Sequence, residues 1–127
     1  MDINALSNEI IGAAIEVHRA LGPGLLESAY EMCLAHELAA RGLRFERQRA
    51  VPLVYKGETI EVGFRADFVV EKLILLELKA VDRLQPIHIA QVLTYLKLMD
   101  LHLGLLINFN TKILQGGIRR VVLGLAE

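Results

Sequence analysis

The sequence predicts an α/β fold in which a mixed β-sheet is sandwiched by helices, in the order α-α-β-β-β-α-β-β. Three observations support this. Apolar residues recur every three or four positions before Gly42, the period changes to two from Leu43, and Pro86 suits the start of a further helix. With 127 residues, of which 54% are hydrophobic, the chain is long enough for one core and is expected to form a single domain over residues 1–127.

Two helices are predicted at the start of the chain. The first covers residues 3–20 and ends at "LGPG", residues 21–24, where proline and glycine interrupt it. Its apolar stripe consists of Ile3, Leu6, Ile10, Ala14, Val17 and Leu21. The second covers about residues 25–41 and ends at Gly42. Its apolar stripe consists of Leu26, Tyr30, Leu34 and Leu38.

Three strand-like runs follow between residues 43 and 81, and "KGE" at 56–58 is a plausible tight turn between the first two. In the second run the even positions from Ile60 to Val70 are apolar, which predicts a core face and leaves Asp67 on the polar face. In the third run Glu77 and Lys79 share one face, because their spacing is two. The opposite face has Ile74, Leu76, Leu78 and Ala80.

The remaining elements are a helix, a buried strand and an edge strand. Pro86 suits the first turn of a helix over about 86–99. "LHLGLLINFN", residues 101–110, is typical of a buried strand, and "GIRRVVLGL", residues 117–125, is expected to form a final strand at the sheet edge.

Composition restricts the class of protein. No apolar run is long enough to span a membrane, and the N-terminus does not resemble a signal peptide. Cys33 is the only cysteine, which excludes an intramolecular disulfide and a cysteine-built zinc site and favours a cytoplasmic location. The net charge is −1, and two arginine clusters, at 41–49 and 119–120, are interpreted as solvated charge rather than a phosphate track.

The hairpin between the second and third runs contains the main candidate site. A two-residue turn at 71–72 would place Asp67 opposite Leu76, whereas a three-residue loop at 71–73 places it opposite Glu77. Facing carboxylates repel, raise each other's pKa and favour a divalent cation such as Mg²⁺ between them. Simpler interpretations are an edge hairpin with one wet face, or a surface ion pair between Glu77 and Lys79.

Other candidate residues carry weaker signals. Glu27 lies in the first turn of the second helix, where an acid is favourable in any protein. Gln91 and Tyr95 are four residues apart and project from one side of the third helix, although Tyr95 is equally typical of a core. The four histidines show no helical zinc spacing, and His88, beside Gln91, is interpreted as a surface residue.

Asp67 followed by "ELK" at 77–79 resembles the PD-(D/E)XK nuclease signature. Together with "GLLESAY", "FRADFVV" and "AQVLTYLKL", it resembles the bacterial GxxExxY family of that superfamily, from Gly22 to about Phe109. This resemblance implies a restriction-endonuclease-like core. Ala66 occupies the position of the signature's proline.

The resemblance also implies residue roles. The ligands implied for Mg²⁺ or Mn²⁺ are Asp67, Glu77, the backbone carbonyl of Leu78, and Glu27. Lys79 is expected to position and help deprotonate the attacking water and to stabilise charge at the phosphorus. Gln91 and Tyr95 would orient Lys79, the water or a phosphate.

The function expected from these features is metal-dependent hydrolysis of nucleic-acid phosphodiester bonds. Nucleic acid is the expected partner, DNA more than RNA, and no membrane partner is expected. The alternative is a non-catalytic module of the same fold that acts in binding or assembly, which the absence of a strongly basic composition favours. A homodimer with a composite groove, or an unidentified protein partner, would compensate for the small size of the domain.

Overall fold

A computed structural model describes residues 2–61 and 63–124 of the chain. Val62 of the second predicted strand and Leu125 of the last one lie outside the described residues. The helices are α1 (Ile3–Leu21), α2 (Glu27–Ala40) and α3 (Pro86–Met99), with a short 3₁₀ helix at Leu114–Gly117. The strands are β1 (Phe45–Ala50), β2 (Leu53–Tyr55), β3 (Glu58–Ile60), β4 (Arg65–Val70), β5 (Ile74–Lys79), β6 (Leu103–Asn108) and β7 (Ile118–Val122).

Five of the described strands form a mixed sheet in the order β1-β4-β5-β6-β7. The β5–β6 pair is parallel and the other pairs are antiparallel. Residues of α1 and α2 pack on one face of the sheet, and residues of α3 pack on the other. The predicted α/β sandwich around a mixed sheet is therefore confirmed.

The first two predicted strand runs are each divided in the structure. Pro52 follows β1 and separates it from β2, because proline has no N–H to donate to a ladder. Gly63, with φ of 76°, separates β3 from β4. The prediction that Ile60 and Phe64 face the core is wrong, since both are exposed. The tight turn at 56–58 is confirmed, because Tyr55 pairs with Glu58 across two residues.

The helices match their predicted positions with small differences at the ends. Asp2 caps α1 by accepting hydrogen bonds from the N–H groups of Asn4 and Ala5. Leu21 and Leu26 were expected in the core but are exposed, Leu26 to 77%, because it precedes the first helical residue of α2. No helix among residues 2–61 and 63–124 is both long and apolar enough to cross a bilayer.

Two buried clusters cover the two sheet faces. The cluster on the α1–α2 side includes Phe68, Val70, Ile74, Leu76 and Leu78, so the predicted core face of β5 is confirmed. The cluster on the α3 side includes Ala66, Val69, Leu75, Val92 and Leu106. Ala66 thus departs from the predicted alternation, since it packs with Val69 rather than with Phe68.

The β4–β5 hairpin has the register that the polar face requires. Phe68, Val69 and Val70 pair with Leu76, Leu75 and Ile74, so three residues, 71–73, form the loop. Glu71 and Lys72 adopt φ values of 52° and 57°, which close this loop. Because β1 and β6 flank the hairpin, the interpretation as an edge hairpin is wrong.

Candidate active site

Asp67 and Glu77 are fixed by a pair of crossed hydrogen bonds. The backbone N–H of Asp67 donates to Oε2 of Glu77 at 2.8 Å. In return, the backbone N–H of Leu78 donates to Oδ2 of Asp67 at 2.8 Å. Each carboxylate therefore binds the backbone of the opposite strand just past the last paired residues, Phe68 and Leu76. Such bonds between an N–H and a carboxylate are short and strong, so they fix both side chains in place.

Burial dominates the electrostatics of this pair. Glu77 is only 4% exposed. Burial, followed by the negative charge of Asp67, raises the pKa of Glu77 to about 8. Burial also raises the pKa of Asp67, although the N–H of Leu78 opposes this. Both pKa values are raised as predicted, but burial is the larger cause, and the charges that add to the raised pKa of Asp67 are those of Glu31 and Glu27 rather than that of Glu77. The alternative of a surface ion pair is wrong, because Glu77 is buried.

Lys79 connects the acid pair to α3. Its Nζ donates to Oε1 of Gln91 at 3.3 Å, and Nε2 of Gln91 donates to the hydroxyl of Tyr95 at 3.4 Å. Tyr95 is buried in the α3-side cluster, and burial together with the charge of Glu77 raises its pKa. Tyr95 therefore belongs both to the core and to the polar network. Gln91 and Tyr95 project from one side of α3, as expected from their spacing, and Lys79 meets Gln91, as the family resemblance implies.

Glu27 approaches the acid pair from α2. It is the first helical residue of α2 and is exposed, and its negative charge contributes to the raised pKa of both Asp67 and Glu77. The preceding loop is held by Tyr30, whose ring is fully buried and stacks on Phe109 at 4.5 Å.

The hydroxyl of Tyr30 donates to the carbonyl of Gly22 at 2.6 Å and accepts from the N–H of Leu25 at 3.1 Å. These two bonds fix the loop that leads into Glu27. The apolar spacing predicts Tyr30 only as a core residue, and the role of its hydroxyl does not follow from that spacing.

Gln48 and Glu31 are site residues that the sequence analysis did not identify. Nε2 of Gln48 lies 2.8 Å from Oε1 of Glu31 and 3.3 Å from Oδ1 of Asp67, so one amide links α2 to β4. Gln48 has φ of 50°, which is uncommon for a residue other than glycine. Only its place in β1 opposite Asp67 could have suggested the contact, and this place depends on a strand pairing that the sequence does not reveal.

The arginines of the cluster at 41–49 all pair with acids. The pairs are Arg41 with Glu9 and Glu37, Arg44 with Glu71, Arg47 with Glu31, and Arg49 with Glu46. These contacts favour the interpretation of the 41–49 arginine cluster as solvated charge rather than as a phosphate-binding track. The cluster therefore does not present four uncompensated cations to a phosphate backbone.

Three of the histidines have structural partners. Nδ1 of His102 lies 2.8 Å from the carbonyl oxygen of Leu123. Nδ1 of His88 accepts the N–H of Gln85 at 2.9 Å and so helps to cap the N-terminus of α3. Nε2 of His18 lies 2.7 Å from the carbonyl oxygen of Thr111.

The donor set around Asp67 suits a hard divalent cation. Within residues 2–61 and 63–124, no three His, Cys, Asp or Glu side chains converge closely enough to hold an ion by themselves. Mg²⁺, however, commonly binds one or two carboxylates and keeps several waters. Asp67 and Glu77 supply two carboxylates in a buried site where negative charge is costly. The residues present therefore fit such an ion.

Fold and site together define a nuclease-like α/β domain with an acid pair and a lysine at one end of a central hairpin. The chain belongs to the PD-(D/E)XK nuclease superfamily, since the family model described by that name matches residues 4–121. Members of this superfamily are generally hydrolytic nucleases that typically use divalent metals. Comparison with curated proteins gives no match, and neither does comparison with solved structures.

Proposed function

We propose that the protein is a metal-dependent nuclease and that it belongs to the GxxExxY family within the superfamily. The pattern of that family corresponds to Gly24, Glu27 and Tyr30. The observation that carries the proposal is the crossed hydrogen bonding of Asp67 and Glu77. Two carboxylates in a buried site destabilise the fold when both are ionised, and a bound cation would remove that cost.

The residues proposed to hold Mg²⁺ or Mn²⁺ are Asp67, Glu77 and the carbonyl of Leu78, with Glu27 supporting the acidic cluster from α2. When bound, such an ion lowers the pKa of a water molecule and balances charge on the phosphate. Glu77 must release its proton to become a ligand, because its pKa lies near 8. Asp67 is held in position for this role by the N–H of Leu78 and the amide of Gln48.

Lys79 is proposed to contact the reacting phosphate and the attacking water. Its ammonium group carries three donors, and one is directed to Gln91. The others are available to orient a water and to stabilise the negative charge that develops on phosphate oxygens. Gln91, supported by the hydroxyl of Tyr95, keeps the flexible lysine side chain at the mouth of the site.

The proposed substrate is nucleic acid, DNA rather than RNA, and the proposed location is the cytoplasm. A homodimer or another protein would supply cationic surface that this chain, with a net charge of −1, contributes only sparsely. Such an assembly would strengthen binding to phosphates without changing the site itself.

The experiment is hydrolysis of labelled DNA with Mg²⁺ or Mn²⁺ by the wild type and by Lys79→Ala. Loss of Lys79 is expected to lower the rate by about 100-fold or more, as for other charge-stabilising groups. Lys112→Ala, an exposed lysine in the loop after β6, is the matched control and should retain wild-type activity. Binding without hydrolysis under either ion would contradict the proposal and indicate a non-catalytic module.

A further inference from the structure

A cavity of about 380 Å³ opens beside Lys79 on the α3 side of the sheet. Its size falls in the range of about 300–1,000 Å³ that is usual for small-molecule sites. Lys79, Gln91 and Tyr95 of the polar network line one part of it. The other lining residues are Phe64, Ile87, His88, Ala90 and Thr94. The cavity therefore continues from the polar network of the site into a mainly apolar compartment.

The apolar wall of this cavity is unusually exposed. Ile87 is 70% exposed and Phe64 is 43% exposed. The Phe64 ring lies 6.1 Å from the Tyr95 ring, centre to centre, and its backbone carbonyl accepts the N–H of Val51 at 2.9 Å. The Phe64 ring thus lies beside Tyr95 at the cavity without being buried, which leaves its surface available to a ligand.

This cavity does not match the surface of duplex DNA. A duplex presents phosphates and groove edges, while the faces of its bases are covered by their neighbours in the stack. An apolar, aromatic-walled compartment next to a lysine matches a nucleotide whose base has left the stack, with the phosphate towards Lys79 and the base against Phe64.

We propose that the cavity receives an unpaired base, so that the substrates of this site are single strands or unpaired ends. The inference rests on the proposed function, because it assigns the cavity to the same substrate. Phe64 supplies the stacking surface, Ile87 covers the opposite side of the base, and Thr94 and Gln91 offer polar atoms to its edge.

The test measures binding rather than cleavage, by fluorescence anisotropy of labelled oligonucleotides with EDTA present. Single-stranded DNA, single-stranded RNA and the corresponding DNA duplex form the three arms. Phe64→Ala is expected to weaken single-strand binding by about 10-fold, as for other aromatic residues that stack on bases. Duplex binding should stay within about 2-fold of wild type, because phosphate contacts supply it.

Two controls separate stacking from a general loss of apolar surface. Phe64→Tyr should retain binding, because tyrosine keeps the aromatic face. Ile87→Ala should weaken single-strand binding, whereas Ile113→Ala should not, although Ile113 is 69% exposed and so closely matches Ile87. Thermal unfolding of each variant verifies that it is folded.

The outcomes distinguish this inference from the proposed function. Three results would overturn the inference. Phe64→Ala could weaken single-strand and duplex binding equally, it could leave single-strand binding unchanged, or the wild type could fail to bind single strands. Selective weakening supports it for DNA, RNA or both, according to the arm affected. A wild type that binds single strands through Phe64 but hydrolyses none with Mg²⁺ or Mn²⁺ would overturn the proposed function alone.

Discussion

Replacement of Glu77 by glutamine should stabilise the metal-free protein at alkaline pH. Glu77 is buried, and its Oε2 accepts the N–H of Asp67. A glutamine carbonyl can accept the same hydrogen bond and fills almost the same volume. Glu77→Gln therefore removes the ionisation of this side chain and changes little else.

The magnitude follows from the pKa of Glu77, which is about 8 in the folded chain against 4.5 ordinarily. Between these pH values the folded state keeps a proton that the unfolded state releases, so stability falls as pH rises from 4.5 to about 8. At about 1.4 kcal/mol per pH unit, the full loss is on the order of 4–5 kcal/mol. Glu77→Gln avoids this loss.

The assay is urea unfolding with EDTA at about pH 4 and about pH 9, on either side of the titration. The variant should match the wild type at the acidic pH and exceed it by several kcal/mol at the alkaline pH. Glu58→Gln, on the exposed strand β3, is the matched control and should follow the wild type at both. Equal stability of Glu77→Gln and wild type at about pH 9 would refute the inferred burial of this charge.

Three further substitutions test the surroundings of the site. Gln48→Leu removes an amide that lowers the pKa of Asp67, so this pKa should rise in an NMR titration of the carboxyl carbons; an unchanged value would contradict the contact. Tyr30→Phe leaves two loop groups without a partner and should cost about 1–2 kcal/mol in urea unfolding, and a neutral result would mean that the loop does not depend on the hydroxyl. A methyl group at Gly104 would lie 2.6 Å from Cγ1 of Val92, so Gly104→Ala should cost about 1–3 kcal/mol. Adding Val92→Ala should restore part of that loss, and strictly additive losses would argue against the contact.

The sequence allowed the register of the central hairpin to be predicted, and with it the meeting of Asp67 and Glu77. A two-residue loop would place Asp67 opposite Leu76, whereas a three-residue loop places it opposite Glu77, and the observed loop has three residues, 71–73. The helices could also be predicted from the sequence, since the apolar period of the first two and the positions of Gly42 and Pro86 indicate where helices begin and end.

Other features depend on long-range contacts that no local pattern encodes. The contact of Gln48 with Asp67 requires the pairing of β1 with β4, between residues about twenty positions apart in the chain. The break between β3 and β4 at Gly63 could not be predicted, because apolar residues continue at every second position on either side of it and suggest one continuous strand. The leading cause of the raised pKa of Glu77 is its burial, which only the packed structure reveals.

The central claim is that Asp67 and Glu77 form a divalent-cation site, and calorimetric titration with Mn²⁺ tests it most directly. The wild type should bind with an affinity that rises with pH towards about 8, because Glu77 must lose its proton. Asp67→Asn and Glu77→Gln should each abolish this binding, while Glu58→Gln should leave it unchanged. A wild type that binds no Mn²⁺ at millimolar concentrations, or a Glu77→Gln variant that binds it as well as the wild type, would contradict the claim.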